Sequence, residues 1–350
     1  MQWSIARQLA RLTAGSDEPV ELGVDLRALC ADLELHVAGC TQLELAAPAP
    51  AAEVVGRAEW AELNLASFEQ MLDPVAQRLD ERLAFAGPLA GALRMGAGAT
   101  IAAEAGLVMG YVSQRVLGQY ELSLLGAEVP PRLLFVGPNL QAAVGKLDVD
   151  PESFFGWIAI HELTHVFQFQ GVPWLRDHIG GLMREYLDTV DVKIERGDAG
   201  GLPALPDFSK LAASFREGGL VALVQSHEQR ELMDRMNAAM AVVEGYSEYV
   251  MDALGERLLP SYAGLRDAME KRRKGRSAPE RALQRLLGLE LKLRQYEQGR
   301  VFCDAVVAEA GIEGLNRVWS SPGALPSTSE LTDSRRWLER VRTKSLEPAV

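Results

Sequence analysis

Apolar residues recur three and four positions apart along most of the chain, the spacing that lines one face of an α-helix. This predicts a helical region over roughly residues 24 to 45, ended by the Ala/Pro tract Ala46 to Ala52, a loop or short linker. Helical spacing resumes through Trp60, Leu63 and Phe68, restarts at Pro74 and continues to about Leu117. The clearest strand is Arg132-Leu133-Leu134-Phe135-Val136, bounded by Pro130-Pro131 and Gly137-Pro138. Such a strand can border a cleft and take up an extended peptide by strand addition. Asp150-Pro151-Glu152 then opens a helix, with Asp as N-cap, Pro at the first helical position and an acid in the first turn. Gly171 and Pro173 stop it. Further helices are predicted at about 174–194, 208–224 and 228–255. Ser277-Ala278-Pro279-Glu280 has the form of a capping box, and Ser327 to Glu330 repeats it. The fold class that follows is mainly α, an α+β chain with a minimal sheet. Its 350 residues suit one large domain, 1–350, or two helical lobes flanking a shared cleft.

Composition narrows the range of partners. Hydrophobic residues at 48% and charged residues at 24% are the mix of a soluble globular protein. A net charge of -12 argues against nucleic acid as the primary partner. In so acidic a chain the basic run Lys271-Arg272-Arg273-Lys274-Gly275-Arg276 reads as a solvated helix end and loop. Three cysteines, Cys30, Cys40 and Cys303, with no CxxC pair, argue against a disulfide framework and a thiolate zinc site. They read as reduced residues, with a Cys30–Cys40 pair the minor alternative. The N-terminal segment, with arginines among its apolar residues, lacks the continuous apolar stretch of a signal peptide. The longest apolar region, Gly96 to Val112, is interrupted by Glu104, a charge that is costly in a bilayer; its Gly106/Gly110 pair suits tight helix packing. A cytoplasmic protein without membrane or nucleic-acid partners is expected.

His161-Glu162-Leu163-Thr164-His165 carries the chemistry. Residues four apart on a helix share a face with about 6 Å of rise between them, so both imidazoles can reach one ion. Glu162, about 100° round from His161, can flank a metal-bound water without ligating the ion. Zinc lowers the pKa of such a water towards ~7, and a nearby carboxylate can take its proton as it attacks a carbonyl. The bland alternative is an exposed, solvated helix face. With five histidines and 31 glutamates in the chain, random placement gives roughly 0.006 matches to this pattern. Phe154, Phe155, Trp157, Ile158, Ile160, Val166, Phe167 and Phe169 also make the helix apolar on nearly every side, so it should be buried, and buried polar groups need partners.

Two ligands are too few for a protein zinc site. Gln168 and Gly171 stand where a metzincin would continue, and His178 is an unpatterned option beyond the helix stop. Better placed are Glu244 and Glu248, four apart among apolar neighbours. One can ligate zinc while the other accepts a hydrogen bond from a ligand histidine. His227, 17 residues before Glu244, is too far along a shared helix, and Tyr246, about 200° round from Glu244, faces elsewhere. Tyr296 and Arg300, four apart, can contact substrate or an oxyanion from another helix; a structural role for the pair is the equal alternative.

This arrangement resembles the gluzincin branch of zincin metallopeptidases, in which a glutamate on a second helix completes the site and an acid four residues later orients a histidine. The resemblance assigns Glu244 as the ligand and Glu248 as the orienting acid. The match departs in spacing, with Glu244 79 residues beyond His165, and in Glu rather than Asp at 248. The segments VLGQYEL (116–122), FVGPNL (135–140), HELTHVFQFQGVPWLRDH (161–178), VEGYSEYVMD (243–252) and LRQYEQGRVFCDAV (293–306) are similar to the actinobacterial zincin-like metallopeptidase type 2 family. Its members are often labelled hydrolases associated with deazaflavin-coenzyme biosynthesis. That resemblance implies a mainly helical zincin-like fold. The function expected is a zinc-dependent hydrolase of gluzincin type acting on a peptide or amide, with Glu162 as catalytic base. The alternative is a non-catalytic metal-binding or interaction protein on the same scaffold.

Overall fold

The computed structural model describes residues 2–15, 20–83, 90–125, 129–189, 226–274 and 289–344. In chain order these form α1 (Trp3–Ala14), α2 (Leu26–Thr41), β1 (Ala52–Val55), α3 (Arg57–Leu83), α4 (Ala90–Ser113), β2 (Gly118–Glu121) and β3 (Arg132–Val136). There follow α5 (Gly137–Leu147), α6 (Pro151–Gly171), α7 (Leu175–Thr189), α8 (His227–Leu258), α9 (Tyr262–Lys274), α10 (Leu289–Leu315), kinked at Gly311, and α11 (Ser334–Lys344). The molecule is mainly α with one small sheet. The predicted helix at 208–224 and the capping box at Ser277 to Glu280 lie outside the described residues. The second predicted box is present: Glu330 accepts from the Ser327 backbone N–H at 2.9 Å and opens a short 3-10 turn.

The sheet has the order β1-β3-β2, with β1 parallel and β2 antiparallel to β3. Its central strand explains the arrangement of the cores. Leu133 and Phe135 of β3 enter the large core built around α2, α6, α8 and α10. Leu134 and Val136, on the opposite face, enter a smaller core with Trp3, Trp60, Leu65 and Ala102 of α1, α3 and α4. All four side chains are fully buried. A strand covered on both faces reads as a continuous apolar run, the signal that made it legible. Because β1 and β2 occupy both of its edges, β3 cannot accept an added peptide strand, which corrects that expectation; the edge strands are β1 and β2.

Two further expectations are corrected. Helix α3 runs unbroken through Pro74 rather than restarting there, so the proline forfeits one backbone hydrogen bond instead of ending the element. The helical pattern ends at Ser113, short of Leu117, where the chain turns into β2. The apolar stretch Gly96 to Val112 lies in α4, where Gly106 and Gly110 pack against the backbone of Ala6 and Ala10 in α1. Among the described residues no helix is long and apolar enough to cross a membrane.

Helices α8 and α10 make the closest crossing that bears on the site. A Cβ on Gly299 would lie 1.8 Å from the Ala241 carbonyl oxygen, and one on Gly245 would lie 2.2 Å from the Gly299 carbonyl carbon. Both obstacles are backbone, so the helices would have to separate. Gly299→Ala is expected to cost about 3 kcal/mol, the upper end of overpacking penalties. A fall in urea midpoint at unchanged m-value is the expected readout.

Candidate metal centre

Helix α6 starts where the sequence indicates. The Asp150 side chain accepts from the Ser153 N–H at 2.8 Å, and Pro151 occupies the first turn, where no backbone donor is needed. The helix is enclosed almost throughout, with Phe154, Phe155, Trp157, Ile158, Ile160, Leu163, Val166 and Phe167 all buried. Only part of one face opens, and His161 and His165 stand on it, half-buried. Helix α8 packs across this face. It begins with a capping box between Ser226 and Gln229 and runs 32 residues, bringing Glu244 opposite the two histidines.

The three side chains converge. Nε2 of His165 lies 3.1 Å from Nε2 of His161, and Oε2 of Glu244 lies 3.6 Å from His161 Nε2 and 3.8 Å from His165 Nε2. The imidazole planes are nearly perpendicular, at 86°. Four-coordinate zinc with bonds of about 2.0–2.2 Å requires donor–donor edges of roughly 3.3–3.5 Å. The observed triangle brackets that requirement, and two imidazoles with a carboxylate are a donor set zinc accepts. Among the described residues this is the one group of three that could hold a metal ion.

Glu162 is buried beside the cluster without joining it. Its Oε2 accepts the backbone N–H of Tyr120 at 2.9 Å, fixing the carboxylate to strand β2. Burial pushes its pKa up to about 7; the neighbouring His165 and the Tyr120 N–H pull it back, and Glu244 adds to the rise. A nearby dication would favour the ionised form. The strand approaches this closely because residue 118 is glycine: a Cβ there would lie 2.8 Å from Glu162 Cγ and 3.0 Å from Ile158 Cγ2. Gly118→Ala is therefore expected to displace the Glu162 side chain and destabilise the fold by about 1–3 kcal/mol. Metal binding should survive, because residue 118 does not touch the histidines; urea titration with a zinc-binding assay separates the two effects.

The hydrogen bonds behind His165 come from Gln168 and Ser247. Its Nδ1 meets Gln168 Oε1 at 2.9 Å and Ser247 Oγ at 3.3 Å. Gln168, fully buried, donates its Nε2 to the Val243 carbonyl at 2.8 Å. Gln168 and Ser247 thus hold the place at His165 that an orienting acid would take. Glu248 follows Glu244 by one turn of α8 and is half-buried. The Arg300 guanidinium lies 3.6 Å from Asp252 and 3.9 Å from Asp304, ion pairs that favour its structural alternative. The Tyr296 side chain lies outside the described side chains. His178 stacks edge-on against Trp174, and His227 is exposed beside Glu231 at the start of α8. Tyr246 turns away, donating to Asn316 Oδ1 at 2.9 Å and the Thr41 carbonyl at 3.2 Å. The three cysteines are free.

The family model described as zincin-like metallopeptidase matches residues 1–338. The chain belongs to this family. It is also similar to a protein from Chloroflexus aurantiacus whose crystal structure is described as that of a candidate hydrolase with a novel fold. The two are 30% identical, with a TM-score of 0.71 over 98% of this chain and 99% of the other. No protein of curated function matches the chain. For this family member the match extends well beyond α6 and α8, so the histidine helix, the glutamate helix and strand β2 all fall within it.

Proposed function

We propose that this protein is a zinc-dependent hydrolase of gluzincin type whose substrate is a peptide or amide. The observation that carries the proposal is the convergence of His161 Nε2, His165 Nε2 and Glu244 Oε2 on one point. Gln168 Oε1 can only accept, so it takes the Nδ1 proton of His165 and leaves Nε2 as a lone pair. That lone pair, 3.1 Å from His161 Nε2 and 3.8 Å from Glu244 Oε2, is the donor a metal ion among the three would take.

His161, His165 and Glu244 would hold the zinc, and Glu248, one turn on, would orient His161. When bound there, zinc would supply Lewis acidity for polarising a carbonyl and acidifying water. Glu162 takes the proton from the attacking water and returns it to the leaving amine. Its bond to Tyr120 N–H keeps one carboxylate oxygen engaged and the group in place during both transfers. Tyr296 and Arg300 would be the substrate or oxyanion contacts offered by α10 if Arg300 exchanged its ion pairs with Asp252 and Asp304 for substrate; a structural role is the alternative those pairs support. The chain is read as one zincin-like domain over 1–350, and its free cysteines support a reducing, cytoplasmic setting.

The test is zinc-dependent cleavage of a mixed peptide and amide library by protein carrying one zinc per chain. Cleavage that disappears on chelation and returns with zinc is the expected result. Stoichiometric zinc with no cleavage would favour the non-catalytic alternative.

A further inference from the structure

The single amide of Gln168 touches both helices that supply the candidate metal ligands. Its Oε1 accepts from His165 Nδ1 on α6 at 2.9 Å. Its Nε2 donates to the carbonyl of Val243, the residue immediately before Glu244 on α8, at 2.8 Å. The Ser247 hydroxyl, 3.3 Å from Gln168 Oε1, also lies 3.1 Å from the Val243 carbonyl. Gln168 and Ser247 are both fully buried, so each bond is made away from competing water.

We infer that Gln168 is the positioning residue of the metal centre, setting the His165 tautomer and the register of Glu244 against it. The reasoning concerns which end of the amide points where. The Val243 carbonyl can only accept, so it must face the NH₂ end of Gln168. The oxygen end is then committed to His165, which must carry a proton on Nδ1, so that the neutral ring presents Nε2 as a lone pair. A carboxylate could accept from His165 but could not donate to Val243, so a glutamine is the side chain that satisfies both partners. The partner of His165 is thereby neutral, and it joins the two helices directly behind the donor atoms.

This inference rests on the proposed zinc site, and the test separates the two. Zinc affinity is measured by chelator competition for wild type, Gln168→Met and Gln168→Glu, and the His165 tautomer by long-range ¹H–¹⁵N correlation on the zinc-free proteins. Gln168→Met keeps the shape and removes both bonds, so zinc affinity should fall about 10–100-fold, the usual loss when a ligand's hydrogen-bond partner is removed. Its His165 should lose the pure Nδ1–H signature. Gln168→Glu restores the acceptor, so the Nδ1–H form should persist and affinity should fall less than in Gln168→Met. Wild-type affinity in Gln168→Met, equal losses in both variants, or an Nε2–H His165 in wild type would overturn the inference. Absence of zinc binding in the wild type would instead overturn the proposed metal site. Ser247→Ala, which removes only the lesser contact and leaves Gln168 in place, covers the case in which Gln168→Met fails to fold: the Nδ1–H form should persist with at most a small loss of affinity, and a His165 shifted to the Nε2–H form would overturn the inference.

Discussion

The His161→Ala/His165→Ala protein is expected to purify without stoichiometric zinc, whereas the wild type should carry one zinc per chain. The double substitution removes two of three donors whose atoms lie 3.1 to 3.8 Å apart, leaving one carboxylate that water competes for readily. A fall in affinity of at least about 10³-fold is expected, some 4 kcal/mol out of the ~10–16 kcal/mol that protein zinc sites supply. Stability should report the same loss. A ligand bound only by the folded state at 100 times its Kd adds about 2.7 kcal/mol. Chelation should therefore lower the wild-type melting temperature by on the order of 4 °C for a chain of this size. The double variant, already without metal, should not respond to the chelator. Equal zinc in both proteins would remove the site.

Glu162→Gln is expected to keep zinc and lose turnover by about 10²–10⁴-fold, the range that a general base contributes. The substitution is well matched to its surroundings. A glutamine amide oxygen can still accept the Tyr120 N–H that Glu162 Oε2 now accepts at 2.9 Å, so strand β2 keeps its anchor on α6. What disappears is the ability to take a proton. Zinc content and melting temperature should stay near wild type while cleavage of the best library substrate collapses. Retained turnover would take the base role from Glu162; loss of zinc together with turnover would show that the side chain supports the ligands instead.

The element that carries the candidate site was the most legible part of the chain. Helix α6 has an Asp-Pro start, a glycine at its end and apolar residues around it, and the structure shows all three. Glu244 was found by arithmetic: two histidines lacked a third donor, and an acidic pair at helical spacing offered one. Strand β3 was legible because burial on both faces leaves no polar residue between Leu133 and Val136. Strands β1 and β2 were missed because four-residue edge strands, Ala52–Val55 and Gly118–Glu121, are too short to show alternation against helical neighbours. Pro74 misled for the opposite reason: a local rule about helix breaking lost to the context of a long helix.

Missing β2 meant missing what holds Glu162 and why residue 118 is glycine. Gln168 carries a signal in the sequence, since a polar residue three after His165 in so apolar a helix requires a partner. That partner, Val243, is 75 residues away and offers only its backbone carbonyl, which no side-chain pattern reveals. Helical spacing alone likewise does not name which ligand histidine Glu248 orients. Helical spacing gives the face of α8, whereas the particular nitrogen reached depends on how α8 crosses α6.

The most direct measurement is anomalous diffraction at the zinc absorption edge from crystals of the purified, zinc-loaded protein. One strong peak is predicted among His161 Nε2, His165 Nε2 and Glu244 Oε2, about 2.0–2.2 Å from each. A peak elsewhere in the molecule, or none at these three side chains in crystals that contain zinc, would contradict the account.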